Sequence, residues 1–184
     1  MKEKCRISII GGPGTGKSTL AENLGKTLDI PVYHLDAINH LENWKKRDTK
    51  ERDKIILEKV KENRWVIDGT YKSTIKERLK YTDIIIYLRY STIAKLKGII
   101  TRYFQYKGKE RPEIPGCKEK MDKEFIKFTL EWNKTEGKMM DEILKENEDK
   151  KILVFKNRKQ LNKWYEKRFG EKIEVLKWNK IDIM

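Results

Sequence analysis

Residues 11–18 read Gly11-Gly12-Pro13-Gly14-Thr15-Gly16-Lys17-Ser18, the pattern G-x-x-x-x-G-K-[ST]. Few short stretches constrain a fold so strongly, because this one works only between a strand and a helix. In front of it, Cys5–Ile10 carries three isoleucines in a short run, as a buried parallel strand requires. Behind it, Leu20, Leu24, Leu28 and the small Ala21 share one face at helical spacing, and Pro31 stands where that helix should have stopped. The chemistry follows from the residue types. Glycines let successive backbone N–H groups converge on phosphate oxygens. Lys17 adds a point charge, Ser18 offers a hydroxyl to Mg²⁺, and the following helix turns its positive end toward the same phosphates.

The rest of the chain repeats strand and helix in alternation. Ile30–Leu35 reads as a strand delivering Asp36 at its end. Asp48-Thr49-Lys50-Glu51 has the form of a capping box and opens a helix through Asn63. Arg64–Ile67 is a third strand, ending in Asp68-Gly69, and a short helix follows over Ser73–Leu79. Asp83–Leu88 is the clearest buried strand, after which Ser91 caps a helix reaching Tyr106. Lys107–Lys120, with Gly108, Pro112, Pro115 and Gly116, reads as an irregular loop. Helical pattern resumes at 121–132 and 136–146. Ile152–Phe155 is a fifth strand and Arg158–Phe169 an amphipathic helix with Leu161, Trp164 and Tyr165 inward. The tail 171–184 has some alternation at Ile173 and Val175 but is assigned to no element. Five strands alternating with helices predict an α/β fold, a parallel sheet covered on both faces. Ligands in such sheets bind beyond the carboxyl ends of the strands, where the glycine loop, Asp36 and Asp68-Gly69 all fall.

Composition narrows the partners. The 184 residues suit one domain over 1–184, with a lid-like segment at about 102–120 and a C-terminal extension at about 170–184. No stretch approaches the ~20 apolar residues of a membrane span, and no signal-peptide segment precedes the first strand. Cys5 and Cys117 offer no disulfide framework, so a reduced, cytoplasmic setting is expected. His34 and His40 stand alone, without zinc-ligand spacing. The net charge of +14, from 43 basic and 29 acidic residues, suits an anionic partner. The lysines are scattered rather than gathered in a stripe, which favours a solvated surface over a dedicated nucleic-acid face.

Phosphoryl transfer needs a phosphate cradle, Mg²⁺, mobile cations and an acceptor held in line with water kept out. Arg102, on the helix entering the Gly/Pro segment, and Arg111, within it, suit the cationic role, because a guanidinium forks onto phosphate oxygens and stays charged. A polar, arginine-bearing segment between two helices is the form a closing lid takes.

Four stretches, IIGGPGTGKSTLA, PVYHLDAI, RWVIDGTYKSTIKERL and YKGKERPEIPGCKEKMDKEF, resemble the adenylate-kinase-like nucleoside and nucleotide kinases. More narrowly they are similar to the bacterial DNA topology modulation protein (FlaR-like) branch. The resemblance covers about residues 5–165. It implies a three-layer P-loop NTPase fold with an Arg-bearing lid, and transfer of the γ-phosphoryl of Mg-ATP to a nucleoside, nucleotide or small hydroxyl acceptor. Gly12, Pro13, Gly14, Thr15, Gly16, Lys17, Ser18 and Thr19 would hold the ATP phosphates. Ser18 would bind Mg²⁺, and Asp68 would hold its water shell or face the acceptor together with Gly69. Asp36 would receive the acceptor as base or hydrogen-bond partner. Arg78 matches an arginine near an acceptor phosphate, and Arg102 and Arg111 match the lid. Trp44 is placed either to line the acceptor pocket or to cap the core. Thr70 stands where Asn is expected in much of the branch, which touches an acceptor contact. Asp36 and Asp68 have a plainer alternative as helix caps, and Arg78 one as part of a solvated helix face.

The family name and the basic charge leave a second reading open, a DNA-associated nucleotide-binding regulator without kinase activity, although no DNA-binding motif is legible. Asn179-Lys180-Ile181-Asp182 spells the guanine-reading N-K-x-D, but no D-x-x-G element stands upstream. A GTPase is not expected. Neither the acceptor nor the oligomeric state is legible.

Overall fold

The first strand, β1 (Cys5–Gly11), is the centre of a five-stranded parallel sheet in the computed structural model, which describes residues 4–174. Around it lie β2 (Val32–His34), β3 (Arg64–Asp68), β4 (Ile84–Leu88) and, at the far edge, the last strand (Lys151–Phe155). The order is β2-β3-β1-β4 and then that edge strand. Ile9 is paired with Asp68 on one side and Ile86 on the other, which brings the end of β3 level with the start of the glycine loop.

Strand alternation sorts the core into two faces. Ile7, Ile9, Val66, Ile86 and Leu88 pack with Leu20, Ala21 and Leu24 of α1 (Lys17–Leu28) and with Leu161 and Tyr165 of the C-terminal helix (Arg158–Phe169). On the other face Ile10, Ile85 and Tyr87 meet Ile75 and Leu79, and also Trp132, Met140 and Ile143. Trp65 and Ile67 meet Leu35, Ile56 and Val60. Helices therefore cover both faces, although Val154 of the edge strand stays exposed.

In chain order the helices are α1, α2 (Leu35–Asn39), α3 (Thr49–Lys59), α4 (Lys72–Tyr81), α5 (Thr92–Tyr106), α6 (Lys123–Glu131), α7 (Glu136–Lys145) and α8 (Arg158–Phe169), with a 3₁₀ turn at Glu42–Trp44. A two-stranded antiparallel hairpin, β5 (Glu110–Arg111) and β6 (Ile114–Lys118), makes the edge strand Lys151–Phe155 the seventh, β7.

Four sequence expectations need correction. The strand expected over 30–35 is confined to 32–34, because Leu35 turns into a helix that buries it against Trp65 and Ile67; Asp36 therefore sits in the first turn of α2. The segment 107–120 is a hairpin, not an irregular loop: Pro112 and Glu113 make the turn, and Pro115 is exposed, where a missing N–H costs nothing. Asp48 does cap α3, accepting from the backbone N–H of Lys50 and Glu51, but the Glu51 carboxylate pairs with Arg47 instead of closing a capping box, and the helix ends at Lys59. His34 does not stand alone, as the site below shows. The tail is described only to Glu174, where Ile173 joins the first core face and Glu174 exchanges backbone hydrogen bonds with the Asn23 side chain. The N-K-x-D stretch lies outside the described residues. No described helix is long and apolar enough to cross a membrane.

Candidate active site

The glycine loop leaves β1 and enters α1 at Gly16, a left-handed residue (φ 87°) with no side chain to cap the helix. The first N–H groups of α1 thus stay open to an anion. The loop is held from below. Thr15 Oγ1 and Lys17 Nζ both donate to the Gly12 carbonyl, at 2.9 and 3.0 Å. Gly14 (φ 70°) lies so close to α5 that a Cβ would come within 2.9 Å of the Ile99 nitrogen. Thr70 Oγ1 bridges the Gly11 N–H (3.2 Å) and carbonyl (3.3 Å), which places it on the loop backbone.

Ser18 and Asp68, separated by fifty positions, meet directly: the hydroxyl donates to Asp68 Oδ2 at 2.7 Å. His34, at the end of β2, is level with Asp68 in the sheet. Its Nδ1–H donates to Asp68 Oδ1 and its Nε2–H to Glu22 Oε1, both at 2.6 Å. Burial disfavours the charged ring, but the two carboxylates outweigh it and raise its pKa to about 9. An imidazolium therefore orients Asp68, which orients Ser18.

Across the loop, the Tyr71 hydroxyl donates to Asp36 Oδ1 at 2.9 Å, and this exposed carboxylate lines the cavity. Burial and then the Asp36 charge push the Tyr71 pKa far up, so it stays a donor. Arg52 lies 4.9 Å over the Tyr71 ring, with its own N–H groups spent on Asp53, Asn39 and Ser73.

The segment 102–120, expected to form a lid, comprises the end of α5 and the β5–β6 hairpin. Arg102 and Arg111 converge from these two elements on one carboxylate, Glu119, whose side chain is 1% exposed: the Nε atoms stand 3.0 and 2.8 Å from its two oxygens. The hairpin is pinned by Trp44, which donates Nε1–H to the Lys118 carbonyl at 2.7 Å and lies under the Arg111 and Lys120 cations. Burial lowers the Lys17 pKa, Asp36 and Asp68 oppose this, and Arg102 and Arg111 add to it. One ammonium thus feels Asp36, Asp68, Arg102 and Arg111 together.

These groups enclose a cavity of about 610 Å³, within the usual range for small-ligand sites. Pro13, Gly14, Gly16, Lys17, Ser18 and Thr19 of the loop line it, as do Asp36, Gly69, Arg102 and Arg111. Gly12 and Thr15 lie behind the loop, and Asp68 reaches the cavity through Ser18. Two expected acceptor residues are elsewhere. Trp44 faces the hairpin. Arg78 is 0% exposed, donates Nη2–H to the Gly69 carbonyl at 2.7 Å, and leaves Nε and Nη1 without partners; burial pulls its pKa down to about 10.

Sequence reasoning passed over His34, Tyr71, Glu119, Lys95 and Arg158. Arg158 lines the cavity near Gly16 and has no ion-pair or side-chain hydrogen-bond partner among the described residues. Lys95 is fully buried behind the loop, donating to Asn133 Oδ1 at 2.8 Å above the Trp132 ring; burial, then Lys17, brings its pKa down to about 8. Tyr71 was signalled by its place after Asp68-Gly69-Thr70. The others carry no local pattern.

The structure is similar to a shikimate kinase from Acinetobacter baumannii in complex with shikimate, at 16% identity over 91% of this chain and 95% of that one, with a TM-score of 0.57. A shikimate kinase from Aquifex aeolicus vf5 matches at 17% identity over 90% and 99% of the two chains, with a TM-score of 0.44. No family model matches the sequence, and no curated sequence is similar to it. The fold is the α/β fold of the shikimate-kinase-like P-loop proteins, a five-stranded parallel sheet flanked by helices.

Proposed function

We propose that the protein is a Mg-ATP-dependent phosphotransferase that moves the γ-phosphoryl group to a hydroxyl of a nucleoside, a nucleotide or another small acceptor. One observation carries the reading: the phosphate loop, Asp36, Arg102 and Arg111, from separate stretches of the chain, line a single cavity, and Asp68 meets it through Ser18. The fold is one on which the Acinetobacter relative is a kinase. The quoted lid and strand-end motifs favour the DNA topology modulation branch within it.

Ser18 and Asp68 are hard oxygen donors and suit Mg²⁺. Among the described residues no cluster of three His, Cys, Asp or Glu is placed to hold a metal unaided, so the remaining ligands would be phosphate oxygens and water. When bound there, Mg²⁺ would neutralise phosphate charge. The loop N–H groups and Lys17 hold the β- and γ-phosphates. Asp36, fixed by Tyr71 through one oxygen, accepts the acceptor's hydroxyl proton on the other. The new bond forms between the acceptor's hydroxyl oxygen and the γ-phosphorus as the bond from that phosphorus to the β–γ bridging oxygen breaks, and ADP leaves. Arg102 and Arg111 face the charge that spreads over the transferring group.

The test has two stages. Mg-ATP at about a hundred times its Kd should stabilise the fold by roughly 2.7 kcal/mol, and Lys17→Ala should remove most of that shift. Incubation with γ-labelled ATP and a panel of nucleosides, nucleoside monophosphates and small polyols should then label at least one acceptor in an Asp36-dependent manner. Tight ATP binding with no labelled product across the panel would count against a kinase.

A further inference from the structure

Arg102 and Arg111 reach the cavity from different elements, one from the last turns of a helix and the other from a two-residue strand. Neither element alone would fix a guanidinium, and two of them side by side repel. Burial and then Arg111 lower the Arg102 pKa, while Glu119 opposes both. Glu119 lies between the two arginines, essentially without solvent contact; Arg102 Nε–H donates to its Oε1 at 3.0 Å, and Arg111 Nε stands 2.8 Å from its Oε2 as an ion pair without hydrogen-bond alignment. That choice of nitrogen matters. A guanidinium held at Nε keeps its terminal nitrogens free for phosphate oxygens. Both arginines line the cavity, and among the described residues no other ion pair holds either of them. A carboxylate facing the phosphates would repel them. This one stands against the Nε edges, and its backbone N–H is tied into the lid by the Lys109 carbonyl at 2.8 Å.

We infer that Glu119 is a positioning residue of the phosphoryl-transfer site, which offsets the repulsion between Arg102 and Arg111 and aims their terminal nitrogens at the γ-phosphoryl group. The inference rests on the phosphotransferase reading and deepens it. It specifies that the lid recognises the third phosphate, and that this recognition is set by a residue that does not touch the nucleotide. A merely structural carboxylate would affect all nucleotides alike.

The probes are Mg-ADP and the Mg complex of the β,γ-imido analogue of ATP, titrated calorimetrically without acceptor. Glu119→Gln keeps the shape and removes the charge. It should weaken the analogue roughly tenfold, the scale typical of residues that orient a directly contacting group, and change ADP binding by less than about twofold. Arg102→Ala and Arg111→Ala should show the same selective loss. Glu119→Asp should recover part of the analogue affinity. Combining Glu119→Gln with Arg111→Ala should add little to Arg111→Ala alone, because coupled residues are not additive. Glu110→Ala supplies the comparison for hairpin integrity, since Glu110 accepts the Gly116 N–H at 2.9 Å and its carboxylate has no ion pair with either arginine among the described residues. Circular dichroism confirms that each variant is folded. Equal losses for ADP and analogue, no loss for either, or the same selective loss in Glu110→Ala would each overturn the inference while leaving the kinase reading intact. A wild-type protein that binds neither nucleotide would overturn both.

Discussion

Gly98→Ala gives general helix propensity and this structure opposite signs. Gly98 is inside α5, where alanine is ordinarily better than glycine by about 1 kcal/mol. Here a methyl at position 98 would overlap the Gly14 carbonyl oxygen and come within 2.9 Å of its carbon and 3.2 Å of its Cα. The obstacle is backbone of the phosphate loop, which cannot rotate aside as a side-chain tip would. Overpacking of this kind costs about 3 kcal/mol at the upper end, leaving a net loss of about 2 kcal/mol. For a chain of this size that is a fall in Tm of about 4–8 °C. If the loop gives way instead, less stability is lost but the cradle is distorted. The Mg-ATP-induced shift then shrinks. Thermal unfolding with and without Mg-ATP reads both outcomes, and Lys97→Ala on the exposed face of the same helix sets the background, within about 0.5 kcal/mol of wild type. A Gly98→Ala protein as stable as wild type or more so, with a full nucleotide shift, would refute the close approach of α5 to the loop.

Two further outcomes are expected. The folded-state pKa of His34 is raised from 6.5 to about 9, so its ion pairs contribute fully below pH 6.5 and are lost as pH rises through 9, a term of at most about 3 kcal/mol. Urea unfolding of wild type and His34→Gln at pH 6 and pH 10 should show a gap that narrows at the higher pH, and parallel profiles would contradict the bridge. Arg158→Ala removes a cavity-facing cation that has no ion-pair or side-chain hydrogen-bond partner among the described residues. Stability should stay within about 0.5 kcal/mol of wild type while ATP affinity falls by roughly 1.5–3 kcal/mol, the range for a charge-assisted hydrogen bond, as calorimetry would show.

The sheet was legible because burial on both faces demands continuous apolar strands, and Ile84-Ile85-Ile86 or Ile7 with Ile9-Ile10 satisfy that locally. What was not legible depends on partners distant in sequence. Leu35 looked like the last residue of a strand; it becomes helical because the floor made by Trp65 and Ile67 takes it there. The hairpin was hidden because Pro112, Pro115 and Gly116 usually interrupt structure. An isolated two-stranded ribbon leaves one edge of each strand unpaired and so tolerates them. Its anchor is a tryptophan indole on the Lys118 carbonyl, seventy-four positions away.

For the site, the division is between residues placed by local backbone and residues placed by charge. Lys17, Ser18 and Asp68 were recognisable because a loop or a strand end delivers them, and Asp36 because it follows β2 by two positions, in the first turn of α2. The arginines were not sortable in the same way, since a chain with 43 lysines and arginines offers many equal candidates. Arg78 looked suited to an acceptor phosphate, but α4 turns it inward beneath Gly69. There its one hydrogen bond holds the carbonyl beside Asp68, and its unpartnered nitrogens keep a buried positive charge close to that carboxylate. Arg158 looked like one more helix-surface cation, but the end of β7 delivers it to the rim of the phosphate loop with its fork unoccupied. The physical distinction between them is whether the guanidinium is already satisfied or enclosed by protein. That depends on tertiary packing, and glutamate 119 shows the same point from the acidic side. Its own sequence neighbourhood, Lys118-Glu119-Lys120, is that of a solvated surface. Two arginines from elsewhere in the chain make it one of the most enclosed charges in the molecule.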